Sequence, residues 1–123
     1  MLNSRQQYGR FGENLAARFL EKNGYRIRET NYRNHYGEID IVAEENGTIV
    51  FIEVRSRRSD RFGPAKASVN RVKQRKISMV ALGYLKTTGK IGEKARFDVV
   101  AVSSGDQGDR IELFRNAFEF AYE

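Results

Sequence analysis

From Ser4 to Asn23, apolar side chains recur at Tyr8, Phe11, Leu15, Ala16 and Phe19. This is the spacing of an amphipathic helix, and Gly24 stands where such a helix would end. Gly9 and Gly12 each weaken that helix by about 1 kcal/mol relative to alanine, which points to close backbone packing or a late helix start. Glu13 projects near the flank of the apolar stripe. A short strand is expected from Tyr25 to Thr30, then a polar connection from Asn31 to Tyr36. The runs Glu38 to Glu44 and Thr48 to Val54 are rich in β-branched residues and flank Asn46-Gly47, the strongest short hairpin signal.

A two-residue turn at Asn46-Gly47 fixes the pairing by counting outward. Glu45 faces Thr48, Ile41 faces Ile52, Asp40 faces Glu53 and Glu38 faces Arg55. Residues paired in this way have Cβ atoms roughly 4.5–5.5 Å apart on one face, where two carboxylates repel. A hard divalent cation such as Mg²⁺ or Mn²⁺ offsets that repulsion, because it takes carboxylate oxygens and keeps positions open for water and phosphate. Two other readings stand beside it: a solvated face that tolerates both charges, and a register shifted by one residue that separates them.

Farther along, a loop from Arg58 to Ala65 holds the only proline, Pro64. Ser68 is placed to cap a second helix running to about Lys86, with Val69, Val72, Ile77, Val80, Ala81 and Tyr84 on its buried face. Lys73 falls inside that stripe and Lys76 at its margin. Lys73 either snorkels outward or reaches the same face as the carboxylates. A strong strand is expected from Arg96 to Val102 and a weaker one from Arg110 to Phe114, joined by a polar loop around Gly105 to Gly108. The closing stretch Ala117 to Tyr122 reads as a short packed helix. The order is helix, hairpin, helix, hairpin, without repeats, and residues 1–123 read as one domain long enough for its own core.

The chain has no cysteine, which excludes disulfides, thiolate catalysis and cysteine-ligated metal sites. No basic-then-apolar leader opens it, and no apolar run approaches the roughly 18 residues that span a bilayer, so a cytoplasmic protein without membrane contact is expected. The net charge is +6, and its placement is more telling than its size. Between Arg55 and Lys76 lie Arg57, Arg58, Arg61, Lys66, Arg71, Lys73 and Arg75 as well, against the single acid Asp60. A basic segment adjoining a carboxylate pair has the layout of a phosphate-backbone surface beside a metal centre, with Arg57, Arg58, Arg61, Lys66, Arg71 and Lys76 as nucleic-acid contacts. Taken alone, the same segment also fits a solvated face or a contact with an anionic membrane.

Phosphodiester hydrolysis needs an activated water, a Lewis acid and stabilisation of developing negative charge. Asp40 and Glu53 supply carboxylates for one Mg²⁺, with the Val54 carbonyl as a further oxygen. Arg55 emerges on the face of Glu53 and, always protonated, serves charge stabilisation rather than base catalysis. A cross-strand ion pair with Glu38 is its structural alternative. Asp98 reads as a buried partner for Arg96 or a cap, with a further carboxylate for the site as its alternative, and His35, the only histidine, as a surface loop residue.

Gly37-Glu-Ile-Asp40, followed by Glu53-Val-Arg55, resembles the Asp…Glu-X-Lys core of the PD-(D/E)XK restriction-endonuclease-like superfamily. More closely, the chain resembles the YraN-like family of predicted nucleases. It does so through Gly12 to Ala16, Asn31 to Arg33, Gly37 to Asp40, Phe51 to Arg55, Phe62-Gly63, Lys73 with Ala81 and Leu85, and Arg96 to Val100. That resemblance implies an α/β fold, a restriction-endonuclease-like mixed central β-sheet flanked by helices. It also implies a similarity to archaeal Holliday-junction resolvases, whose first-helix glutamate assists the metal site, a role that falls to Glu13. Asp40 and Glu53 take the metal-ligand positions. Arg55 stands where the superfamily has lysine, and Lys73 is the candidate for the missing ammonium. The expected activity is Mg- or Mn-dependent endonuclease cleavage of DNA, on branched or single-stranded structures, with a two-fold dimer suited to cutting junctions. The alternatives are a non-catalytic nucleic-acid-binding module with a degenerate site, and a protein-interaction scaffold whose basic segment meets an acidic partner.

Overall fold

Asn46 (φ 50°) and Gly47 (φ 79°) both adopt left-handed backbone, the conformation that a tight hairpin with strand-matched twist requires. A computed structural model describes residues 4–57, 69–106 and 108–121 of the chain. Its elements run α1 (Ser4–Lys22), β1 (Arg26–Asn34), β2 (Gly37–Glu45), β3 (Thr48–Arg57), α2 (Arg71–Thr87), β4 (Ala95–Gly105) and β5 (Gly108–Phe118). The five strands form one sheet in sequence order. Neighbours are antiparallel except β3 and β4, which are parallel and joined through α2. The architecture is thus α/β with a mixed five-strand sheet and two helices, as the restriction-endonuclease-like class implies.

The central strands β2, β3 and β4 are buried on both faces, whereas the edge strands β1 and β5 are largely exposed. One core cluster joins Ala16 and Leu20 of α1 to Ile41, Ala43, Val50, Ile52, Val100 and Val102. The other joins Ile77, Val80, Ala81, Tyr84 and Leu85 of α2 to Ile39, Val42, Ile49, Phe51, Phe97 and Val99. Such two-sided burial accounts for the near-continuous apolar runs in β3 and β4, the two strands that pair in parallel.

Several expectations are corrected. β1 continues to Asn34, so the polar connection shrinks to a turn at His35-Tyr36. In α1 the buried line is Gly12, Ala16 and Leu20, whereas Phe11 is exposed. The glycine at 12 lets the helix lie against β3, because a Cβ there would overlap the Ser56 hydroxyl and sit 3.0 Å from the Ser56 Cβ. A Cβ at Gly9 would meet no atom from elsewhere in the described residues within 4 Å. The first turn of α2 is capped by Asn70, whose Oδ1 accepts the Lys73 N–H at 2.9 Å; Ser68 and the loop around Pro64 lie outside the described residues. The buried arc of α2 is centred nearer Ala81 and Leu85 than the sequence pattern suggests, which leaves Val72 54% exposed. Ala117 and Phe118 complete β5 instead of starting a helix, and residues 119–121 have no regular structure. Phe118 stacks on Phe97 with ring centroids 4.7 Å apart, and Phe120 packs tilted against the same ring at 4.5 Å. The side chain of Tyr8 and the residue Tyr122 lie outside the described set.

Asp98 is fully buried and accepts hydrogen bonds from the Tyr25 hydroxyl at 2.7 Å, Arg96 Nε at 2.9 Å and the Asn116 N–H at 2.8 Å. Arg96 also pairs with Glu45. Asp98 is therefore the buried partner of Arg96, in a satisfied network that ties β2, β4 and β5 together.

Candidate active site

The β2–β3 ladder follows the counted register from Glu45↔Thr48 to Ile41↔Ile52 and stops there, one pair short of Asp40 and Glu53. Strand alternation breaks at the same point. Ile39 packs on the α2 face, while Ile41, two residues later, packs on the α1 face. On the other side of β2, the position opposite Asp40 is Asn31, which has φ 53° and is missing from the β1–β2 ladder. Asparagine tolerates that left-handed geometry better than most residues. In place of a ladder bond, the Val54 N–H donates to Asp40 Oδ2 at 2.8 Å. The side chain of Asp40 thus completes the hydrogen bonding that the backbone gives up. The carboxylates come together through this irregularity, and the direct cross-strand pairing expected for them is not formed.

Asp40 and Glu53 line one recess of about 200 Å³ together with Tyr36, Gly37, Glu38, Lys73, Lys76, Ile77 and Val80. Lys73 Nζ lies 3.0 Å from Glu53 Oε1; the lysine side chain is 53% exposed and the glutamate 11%. Of the two roles open to Lys73, the side chain turns toward the carboxylates. Burial and then the neighbouring Glu53 carboxylate push the Asp40 carboxyl up to about 7, against the lowering effects of the Val54 N–H and of Lys73. Glu13 lies close enough for Asp40 and Glu38 to act on it. Burial first and Asp40 second raise its pKa, and a hydrogen bond with the Asn31 side chain counters them. Asn31 is the position beside these carboxylates to which sequence reasoning gives no role, since it reads there as the start of a polar connection.

Glu38 pairs with Arg33 across the β1–β2 turn at 2.6 Å, so its partner is not Arg55. Arg55 is half-buried on β3 and is not among the described residues that line the recess. Arg71 and Lys76, with Lys73, Asn70 and Val72, border an adjoining open depression of about 460 Å³. The side chain of Arg57 and the residues Arg58, Arg61 and Lys66 lie outside what is described. His35 is an exposed turn residue whose ring sits 4.0 Å from that of Tyr36.

Among the described residues, no three His, Asp or Glu side chains gather into a cage for a metal ion. The donor set suits a cation that is held by one or two carboxylates and completes its shell with water and substrate phosphate, as Mg²⁺ does. The carboxylates of Glu38, Asp40 and Glu53 share the recess with the ammoniums of Lys73 and Lys76, and Asp40, raised first by burial and then by Glu53, is a group whose charged form a bound cation would favour.

The described fold is α/β, a mixed five-stranded sheet with two helices, the arrangement that the restriction-endonuclease-like class implies. The model of "Uncharacterised protein family UPF0102" matches residues 12–102, and the chain belongs to that family, the YraN-like one. A UPF0102 protein of Desulfosudis oleivorans is 53% identical over 119 residues, covering 97% of this chain and 95% of its own. One from Syntrophus aciditrophicus is 54% identical over 114 residues, covering 93% and 90%. The solved structure of Pyrococcus furiosus SfsA in complex with Ca²⁺ aligns with 94% of this chain and 64% of its own, at 14% identity and a TM-score of 0.39. That spatial likeness is distant and contributes nothing to the reading of the site.

Proposed function

We propose that the protein is a divalent-metal-dependent nuclease that hydrolyses phosphodiester bonds in DNA. The observation that carries this reading is the Asp40–Glu53 carboxylate pair in one recess, with the Lys73 ammonium 3.0 Å from Glu53. Asp40 and Glu53 would hold Mg²⁺ or Mn²⁺, with Glu13 adding its charge from α1. When bound, the metal supplies Lewis-acid polarisation of the phosphate and a more acidic water. The chain's own groups do the remaining work. The Val54 N–H fixes Asp40 in place. Lys73 faces the space where charge builds as water oxygen bonds to phosphorus and the P–O bond to the leaving oxygen breaks. Lys73 would thereby take over the task of the lysine that Arg55 replaces in the superfamily motif, while Lys76 lines the recess and Arg71 borders the adjoining depression, where a phosphate backbone would run.

The test is cleavage of duplex, single-stranded and branched DNA by highly purified protein with Mg²⁺ or Mn²⁺. Turnover lost in Asp40→Ala and Glu53→Ala supports the proposal; turnover that survives both substitutions overturns it. Arg55 in the lysine position favours a second reading, a nucleic-acid-binding module without chemistry. That reading predicts salt-sensitive binding and no metal-dependent cleavage.

A further inference from the structure

The turn between β1 and β2 presents two aromatic rings at the lip of the carboxylate recess. Tyr36 is 43% exposed, His35 is exposed, and their rings lie 4.0 Å apart at 38°. The turn is braced on three sides. Asn34 Oδ1 accepts the Tyr36 N–H at 3.0 Å, Asn34 Nδ2 donates to the Val80 carbonyl of α2 at 3.2 Å, and Arg33 pairs with Glu38 across it. Gly83 leaves room for this brace, since a Cβ there would come within 2.7 Å of Asn34 Nδ2. Tyr36 forms part of the wall of the carboxylate recess and also of a neighbouring hollow of about 440 Å³ lined by Arg33, Asn34, His35, Gly37 and Glu38.

An exposed, rigidly mounted aromatic pair beside a site for phosphate chemistry is what a stacking platform for nucleobases requires. A base can reach such rings only when it is not stacked within a duplex. We infer that His35 and Tyr36 stack an unpaired nucleobase next to the phosphate held at Asp40 and Glu53, so that the substrate is single-stranded or splayed nucleic acid. This rests on the nuclease reading for the position of the phosphate, but the stacking itself needs neither metal nor turnover.

The experiment measures binding without metal, using wild type, His35→Ala, Tyr36→Ala and Tyr36→Phe. The probes are a fluorescein-labelled single-stranded DNA 12-mer, the matching duplex, the matching ribo-oligonucleotide, and a single strand containing 2-aminopurine to report stacking. We expect tighter binding of single strands than of duplex. Tyr36→Ala should weaken single-strand binding about 5- to 100-fold and abolish the 2-aminopurine quench, while Tyr36→Phe preserves both. Equal behaviour of the deoxy- and ribo-oligomers supports the platform, because stacking is blind to the 2′-hydroxyl. Stronger binding of duplex, or unchanged single-strand binding and quench in both alanine variants, overturns the inference. A separate cleavage assay keeps the two ideas apart. Cleavage that is indifferent to Tyr36→Ala refutes the platform and leaves the nuclease intact, whereas quenching without cleavage refutes the nuclease and leaves the platform intact.

Discussion

Asp40→Asn should make this protein more stable while removing the activity proposed for it. In the folded chain the Asp40 carboxyl is raised from 3.8 to about 7, chiefly by burial and then by Glu53. An acid whose folded value exceeds its unfolded value binds its proton more tightly when folded. Stability is then greatest at low pH and declines as pH rises from about 4 through 7. At about 1.4 kcal/mol per pKa unit the full shift bounds the cost of ionising Asp40 at roughly 4 kcal/mol. Partial contact with solvent and proton sharing with Glu53 bring the expected cost to about 2 kcal/mol. The asparagine oxygen can still accept the Val54 N–H, and its amide can donate to Glu53, so the backbone irregularity keeps its support. Urea denaturation of both proteins should show an advantage of the variant of about 2 kcal/mol at pH 8, or roughly 5–10 °C in Tm, and an advantage smaller by about 1 kcal/mol at pH 5, where part of the cost is already incurred. Mn²⁺ should raise the Tm of the wild type at pH 8 and leave that of the variant unchanged. An advantage that stays constant or shrinks as pH rises would refute the reasoning, because the charge would not then be the source of the strain.

Three further substitutions probe separate parts of the structure. Gly12→Ala should lower stability by about 1–3 kcal/mol in thermal unfolding because its Cβ collides with Ser56, whereas Gly9→Ala, with open space around it, should raise stability by up to about 1 kcal/mol. Tyr25→Phe should cost about 1–3 kcal/mol in urea denaturation, since Asp98 loses a buried donor and Arg96 a buried acceptor. Lys73→Met should cut the rate of metal-dependent cleavage about 100-fold or more while moving stability by no more than about 1 kcal/mol, because the ion pair is half-exposed. A cleavage rate equal to that of the wild type would remove Lys73 from the site.

How much of the site was legible in the sequence depended on how far each inference had to travel along the chain. Asn46-Gly47 is a local signal with one favoured geometry, so counting from it gives the β2–β3 register correctly for every pair up to Ile41↔Ile52. The next pair fails for a reason outside that hairpin. Asn31, on a third strand, takes a left-handed conformation opposite Asp40, and a period-two count has no way to anticipate a break imposed by a neighbouring strand. Lys73 was legible only as a choice between two roles. Helical periodicity put it inside the buried stripe of α2, but which way its side chain turned depended on where the β3–α2–β4 crossover set that helix over the sheet. The first-helix stripe shows the same limit: large apolar residues marked one flank of it, while the line in contact with the sheet was set by the glycine at 12, a residue whose contribution is the absence of a side chain. The geometry of the candidate site and of the helix beside it thus depends on places where local rules are broken, at Gly12, Asn31 and Asp40. Reverting those breaks is the sharpest way to separate structural residues from functional ones. Asn31→Asp keeps a residue that tolerates left-handed backbone but exchanges the Glu13 hydrogen bond for a like charge, and so adds a carboxylate beside Glu13 and Asp40. If the pocket exists to concentrate negative charge for a cation, that variant should lose stability in metal-free buffer and recover more of it than the wild type when Mn²⁺ is added. A loss that Mn²⁺ does not recover would assign Asn31 to the fold alone.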